Sequence, residues 1–314
     1  MTTATQHHNP DAVIDPDAAV RSGAVVGHPK RPFKRYFRET GWRHLVGIAM
    51  SIFAAFPLLY VFSASLNPGG TLVTANSLFS NFSFQSYADL FDRPQQPYAA
   101  WFGNTLLIGG ISSLGTVFLG ALAAYAFSRM RFIGRRVGLL TLLLVQMFPQ
   151  LLAVVAIFLL LSGISEIFPA IGLNSQIGLI MVYLGGALGV NTYLMYGFFN
   201  TVPSSIDEAA KIDGAGHARI FFTIILRLVA PILAVVGLLS FVGTTSEFVI
   251  ASIVLIDPDK QTLAVGLYQF VSQEFSRNWS IFAAGAVLAA IPVMTLFLFL
   301  QKYIVGGLTA GSVK

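Results

Sequence analysis

Long apolar runs separated by short charged gaps dominate the pattern of residues along this chain. Six stretches lack any Asp, Glu, Lys or Arg, namely 44–88, 94–128, 137–165, 167–206, 228–246 and 278–301. Each can hold the ~20 apolar residues that cross a bilayer as a helix. The pattern therefore predicts six transmembrane helices, placed at 44–63, 102–127, 138–161, 177–198, 228–250 and 281–303.

Composition agrees with a membrane-embedded chain. Of the 314 residues, 55% are hydrophobic and only 11% are charged, whereas soluble domains carry roughly 25% charged residues. A transmembrane β-barrel would show segments of ~10 residues with alternating polarity, and the sequence has none. We therefore expect an all-α membrane protein.

The positions of the basic residues predict which side of the membrane each loop faces. With the N-terminus inside, all 19 Lys and Arg residues except Arg93, Lys260 and Arg277 fall in segments on the cytoplasmic side. Both termini are then cytoplasmic. The net charge of +5 is explained by loops near anionic lipid, so no nucleic-acid partner is expected.

The first 30 residues differ from the rest, since they are polar and rich in Pro, Asp and His. Such a composition predicts a disordered cytoplasmic tail, followed by a six-helix domain at residues 31–314. The first apolar run is too long and too far along the chain to be a cleavable signal peptide. The chain contains no cysteine, which excludes disulfide and thiol chemistry.

Uncharged polar residues are rare in the predicted spans, so each is a candidate for the lining of a transport path. The segment QMFPQ (146–150) places two amides beside a proline that is expected to bend the third helix. The same side chains could instead form hydrogen bonds between packed helices, and the sequence leaves both possibilities open. The candidates are Gln146, Gln150, Asn191, Thr244 and Thr245.

Glu247 is the one acid placed within a predicted span. An acid inside the membrane is a functional candidate by default. Counted from residue 228 at ~1.5 Å per residue, Glu247 lies ~28 Å along its helix, near the outer surface. This position favours an interfacial or packing role over a proton relay.

The one long polar gap late in the chain is EAAKIDGAGHARIFF, residues 208–222. Pro203 and Ser205 upstream predict a helix start in which Ser205 and Glu208 form a capping box. Gly214 is expected to end this helix in a tight turn, and a second helix follows at once. A helix resting on the membrane surface is one explanation, but its exposed apolar residues are mostly small alanines, which favours docking into a protein groove.

Extended to residue 231, this segment resembles the EAA loop of ABC-importer permeases. The family pattern is E-A-A, two residues, D-G-A, five residues, F, two residues, I, and then L-P with a later P. The matching residues are Glu208, Ala209, Ala210, Asp213, Gly214, Ala215, Phe221, Ile224, Leu226 and Pro231. The chain departs from the pattern at Arg227, where proline is usual, and we expect this departure to straighten the start of the fifth span.

Further segments are similar to the smaller permease subunit of maltose/maltodextrin importers, the MalG type. They are SEFVIASIVL (246–255), QTLAVGLYQF (261–270) and GLTAGSVK (307–314). The resemblance implies the ABC-importer type I permease fold, with a coupling loop at 203–226 whose first helix sits in a groove of an ATPase. The coupling residues that it implies are Glu208, Ala209, Ala210, Asp213, Gly214, Ala215 and Phe221.

The resemblance also implies partners. These are a larger, MalF-type permease subunit, two copies of a MalK-type cytoplasmic ATPase that hold the ATP and Mg, and an extracytoplasmic sugar-binding protein. No cofactor, metal or catalytic group is expected in this chain, and the sequence has no GxxxxGK[ST] phosphate loop.

The implied cargo is an oligosaccharide, most simply maltose or maltodextrin, while trehalose or another solute stays open. A rival class is an ion-coupled secondary transporter. Such a protein needs ionisable groups near the membrane midplane, whereas Glu247 is placed near an edge.

Overall fold

The computed structural model describes residues 40–68, 78–79, 81–272 and 278–310. The predicted tail at residues 1–30 lies outside the described residues. The chain forms two compact units that divide after Pro57, and the described part of the first unit consists mainly of helical residues up to that point. All contacts considered below lie within the second unit.

The described residues fold into helices and contain no β-strand, which confirms the predicted all-α class. The helices are α1 Trp42–Ser65, α2 Gln85–Phe91, α3 Tyr98–Arg129, α4 Arg135–Gln146, α5 Gln150–Ile167, α6 Gln176–Gly185, α7 Val190–Phe199, α8 Ser204–Ile212, α9 His217–Leu228, α10 Ala230–Ser246, α11 Val249–Val254, α12 Leu263–Ser272 and α13 Trp279–Ala310.

Among the described residues, three helices are long and apolar enough to cross a membrane: α1, α3 and the Trp279–Ile304 part of α13. Two bent pairs, α6 with α7 and α9 with α10, each pass the same test when taken as one span. The structure thus supports three to five of the six predicted spans by length and composition, and the count of six stays a prediction.

The third predicted span, 138–161, is not one continuous helix. It is divided into α4 and α5, with a turn at Met147 and Phe148 before Pro149. Proline has no N–H to donate, and it disfavours helical geometry in the residue before it. The predicted bend at the proline is therefore a complete break.

The expected straight start of the fifth span is wrong, because α9 and α10 meet at an angle of 79°. Pro231 occupies the first turn of α10. Its ring would clash with the carbonyl of the residue four positions earlier if one helix continued through this point. That residue is Arg227, so its identity cannot remove the bend that Pro231 imposes.

α3 is the central helix of the second unit, because each of the three larger apolar clusters includes part of it. At its start, Trp101 packs against α2, α12 and α13. At its middle, Ile108 packs with α5, α6 and α11. At its end, Ala121, Ala124 and Tyr125 pack with α7, α8 and α9. This last cluster supports the EAA segment.

The start of α3 is also tied to the connection that follows α11. Trp101 Nε1 donates a hydrogen bond to the Pro258 carbonyl at 2.8 Å. Asn104 Nδ2 donates to the Gln261 carbonyl at 3.0 Å. The connection is therefore fixed on one end of α3, while the EAA segment packs on the other.

Candidate functional site

The EAA segment forms a helix, a tight turn and a second helix, as predicted. At the end of α8, the amide of Ala215 donates to the Ala210 carbonyl and that of Gly214 to the Lys211 carbonyl, both at 2.9 Å. Together with a φ of +79° at Gly214, these bonds make a Schellman motif, which satisfies carbonyls that a helix end would leave unpaired. The direction of α9 is set by this turn.

The predicted capping box at the start of α8 is wrong. The helix begins at Ser204, two residues earlier than a box with Ser205 as the N-cap requires, and Pro203 is its N-cap without a side-chain hydrogen bond. Ser205 is then inside the first turn and its hydroxyl is not at the capping position. Within the described part of the chain, the Glu208 carboxylate has no hydrogen-bond or ionic partner.

The two faces of α8 are chemically distinct. Glu208 and Ala209 are exposed, and Ile212 is 87% exposed. Asp207 and Ala210, on the other face, are buried. The outer face of α8, formed by Glu208, Ala209 and Ile212, is therefore exposed and available to bind another molecule.

The remaining candidate coupling residues surround the turn. Asp213 is exposed at the C-cap of α8, where the helix dipole disfavours a negative charge. Ala215 is half-buried against the cluster at the end of α3. Phe221 is 2% exposed, and its ring centroid lies 5.1 Å from that of Tyr125 in α3. Phe221 is therefore part of the support of the loop and not of its outer face.

An ion pair that no local sequence pattern predicts lies beneath α8. Arg129, at the end of α3, places its Nε 3.0 Å from Oδ2 of Asp207. Arg129 and Asp207 are 78 residues apart in the chain, and no motif of the sequence links them. Residues so far apart in the chain are paired only by folding.

Three of the five candidate path residues lie where helices break. Gln146 ends α4, and its Nε2 donates to the Gly186 carbonyl in the break between α6 and α7 at 3.0 Å. Asn191 is half-buried in the first turn of α7. Gln146 and Gly186 also line a cavity of about 570 Å³. Gln150 begins α5, and its side chain lies outside the described part.

The two threonines lie elsewhere, near the end of α10. Thr245 bonds the Phe241 carbonyl of its own helix at 2.9 Å. It also lines a mostly apolar cavity of about 350 Å³ between α3, α10, α12 and α13. Thr244 is half-buried beside it. The structure therefore assigns the candidate path residues to two separate places.

Glu247 follows the last residue of α10, so it sits at a helix break and not within a span. Its carboxylate oxygens accept from the amides of Ile250 and Ala251 at 2.8 and 2.9 Å. The Tyr183 hydroxyl donates to Oε2 at 2.7 Å. Glu247 therefore caps α11 and joins it to α6, which is the packing role that its position favoured.

We expect Glu247→Ala to lower the free energy of unfolding by about 1–3 kcal/mol, because two helix amides lose their acceptor and Tyr183 loses its partner. The measurement is thermal unfolding of the purified protein in detergent. Glu247→Gln, which keeps one acceptor oxygen, should give a smaller loss. Glu166→Ala, at an exposed position, is the control, and equal stability of Glu247→Ala and this control would contradict the capping role.

No group of three or more His, Asp or Glu side chains that could hold a metal ion occurs among the described residues. The site is instead an exposed helix, α8, that packs on the apolar cluster at the end of α3. Comparison with known proteins decides what this geometry belongs to. Residues 116–309 match the model of the family described as "Binding-protein-dependent transport system inner membrane component".

This chain belongs to that family. As an inner-membrane component of this kind, it is a multi-pass protein of the bacterial cytoplasmic membrane and a non-catalytic permease subunit.

Relatives support the assignment over most of the chain. The galactooligosaccharides transport system permease protein GanQ of Bacillus subtilis is 40% identical, over 90% of this chain and 97% of that protein. The maltodextrin transport system permease protein MdxG of the same organism is 39% identical, over 84% and 92%. The MalG protein of Escherichia coli K12 is also 39% identical, over 86% and 94%. The predicted resemblance to MalG-type permeases is confirmed.

Solved structures show the same fold. A bacterial ABC transporter involved in the import of the acidic polysaccharide alginate contains a chain that superposes with a TM-score of 0.71 at 22% identity. The superposition covers 88% of this chain and 99% of that chain. This chain therefore shares its overall fold with that transporter chain.

Proposed function

We propose that this chain is one of two permease subunits of an ATP-driven importer for an oligosaccharide, coupled to its ATPase by α8. The observation that carries the proposal is the outer face of α8, where Glu208, Ala209 and Ile212 stand clear of the protein. A face of this kind suits insertion into a groove of another protein. Permease relatives with sugar-transport names support the cargo class.

The partner set follows from this function. A second, MalF-type permease completes the pathway, two MalK-type ATPase subunits bind ATP and Mg, and a sugar-binding protein delivers the cargo from outside. The MalG-type relatives support this set. An ion-coupled transporter is disfavoured because Glu247 caps a helix and is not a free ionisable group in a span.

Coupling depends on the rigidity of the loop. ATP-driven closure of the ATPase moves α8, and the Schellman turn at Gly214 passes that movement directly into α9 and α10. Asp213 supports the role of the outer face, since a carboxylate at a helix C-terminus costs stability and its exposure leaves it free to bond a partner. The exposed Glu208 carboxylate, on the other side of this face, is also free to bond a partner.

The sugar path runs past the paired helix breaks. The α4–α5 and α6–α7 breaks free backbone carbonyls, and such irregular backbone is tolerated at membrane depth where it lines a polar cavity. Gln146, Gln150 and Asn191 are placed at these breaks and are the stronger path candidates. Thr244 and Thr245, near the end of α10 and away from these two breaks, are the weaker ones.

Two cargo classes have support in the relatives, maltodextrin and galactooligosaccharide. The test is uptake of radiolabelled maltose, maltotriose, a galactooligosaccharide and trehalose by a strain that lacks this gene, with and without the gene restored. We expect loss and recovery of uptake for one oligosaccharide class. Unchanged uptake of all four sugars in the strain that lacks the gene would contradict the proposed cargo class.

A further inference from the structure

The guanidinium of Arg129 joins three elements of the fold. Its Nε lies 3.0 Å from Oδ2 of Asp207 in α8. Its Nη2 donates a hydrogen bond to the Val202 carbonyl at 2.8 Å, and Val202 lies in the connection from α7 to α8. One side chain thus holds the end of α3, the connection and α8 together.

The pair is almost removed from solvent, since the two side chains are 10% and 6% exposed. Its 3.0 Å contact meets the distance of an ion pair, yet neither atom has a well-aligned hydrogen bond there. The attraction is therefore mainly one of charge. Two apolar residues can often replace a buried ion pair without loss of stability, so this pair contributes more to fixing a geometry than to holding the fold.

The helix ends favour both charges. Arg129 is in the last turn of α3, where the helix dipole stabilises a cation, and Asp207 is in the first turn of α8, where it stabilises an anion. Neighbouring residues on a helix point ~100° apart, so Glu208 faces outward while Asp207 faces α3. The pair therefore links the inner face of α8 directly to the end of α3.

We infer that Arg129 is a positioning residue, which couples α8 to the α3 span so that the two move as one body. The inference rests on the proposed function of α8. Along the chain, α8 is joined to α7 on one side and to α9 and α10 on the other, and the Arg129–Asp207 pair adds a direct link to α3. Tyr125 supports this link, because its hydroxyl lies 3.4 Å from Nδ1 of His217 in α9.

The test uses the complete transport complex in proteoliposomes. Arg129→Met combined with Asp207→Leu removes both charges and leaves no unpaired buried ion. We expect the complex to assemble and hydrolyse ATP, while the amount of sugar transported per ATP falls on the order of tenfold, which corresponds to ~1.4 kcal/mol. Arg131→Met, at an exposed position two residues on, is the matched control and should transport normally.

A distance measurement adds a readout that a purely structural role would not change. This chain has no cysteine, so spin labels can be attached at Arg131→Cys and Lys211→Cys, both exposed. With the ion pair intact, the distance between the labels should be the same without nucleotide and with ATP. In the doubly neutral variant, Arg129→Met with Asp207→Leu, the distribution of distances between the labels should broaden or shift on ATP binding.

Normal transport per ATP and an unchanged label distance in the doubly neutral variant would overturn the inference. If that variant fails to assemble, Arg129→Lys replaces it, since lysine keeps the charge but has one ammonium nitrogen in place of the two guanidinium nitrogens that contact Asp207 and the Val202 carbonyl. A normal amount of sugar transported per ATP in Arg129→Lys would then overturn the inference. If Glu208→Lys does not transport sugar while the doubly neutral variant transports normally, this inference alone is rejected. If Glu208→Lys transports normally, the proposed function is rejected.

Discussion

Glu208→Lys is expected to reduce sugar uptake to the background level while the protein stays folded and in the membrane. The Glu208 side chain is exposed and has no hydrogen-bond or ionic partner within the described part of the chain. Its replacement therefore removes no contact that supports the fold. A reversed charge at a docking surface repels the groups that complement the original one. The measurements are uptake of the transported sugar and co-purification of the ATPase.

The matched control is Glu166→Lys, which makes the same charge change at another exposed glutamate. It lies near the end of α5, far along the chain from α8. We expect this variant to transport normally and to retain the ATPase. Full uptake by Glu208→Lys would show that the outer face of α8 does not dock the ATPase.

Gly214→Val should uncouple the ATPase from transport, because it forces a β-branched residue into a left-handed conformation. Gly214 has a φ of +79°, and such a conformation costs a residue like valine about 1–3 kcal/mol. A cost of ~1.4 kcal/mol changes an equilibrium tenfold, so the Schellman turn should be largely lost. We expect ATP hydrolysis to continue while uptake falls by about tenfold or more.

Gly216→Val provides the control for this variant within the same loop. Gly216 has an ordinary φ of −73°, and a Cβ at either glycine would meet no heavy atom within 4 Å. The two variants therefore add the same side chain to open space, and only Gly214→Val places it at a positive φ. If both variants transport equally well, the left-handed turn is not required for coupling.

The loop shows how far sequence reasoning reaches. The helix, the glycine turn and the second helix were predicted from residues 203–226 because capping and turn preferences act over a few residues. The predicted capping box is wrong, since Pro203 occupies the N-cap position, two residues before Ser205. Which side of α8 faces outward depended on the cluster at the end of α3, a contact outside the loop itself.

The breaks in the spans were only partly predictable. Pro149 marked a disturbance in the third span, yet apolar composition suggested a continuous helix where the structure has α4 and α5. At the fifth span, Pro231 imposes a bend that the absence of a proline at position 227 does not remove. Hydropathy shows where a chain is apolar. A helix break depends instead on whether individual backbone N–H and C=O groups find hydrogen-bond partners outside the helix.

By itself, the sequence determined the helical class, the apolar runs, the EAA segment and the resemblance to sugar permeases, since these are properties of composition and local order. Only the tertiary structure paired Arg129 with Asp207, made Glu247 a cap for α11 and separated Gln146 from Thr245. Each of these depends on contacts between residues far apart in the chain. Hydrophobic burial, which is not directional, brings such residues together, and no local pattern records which partners will meet.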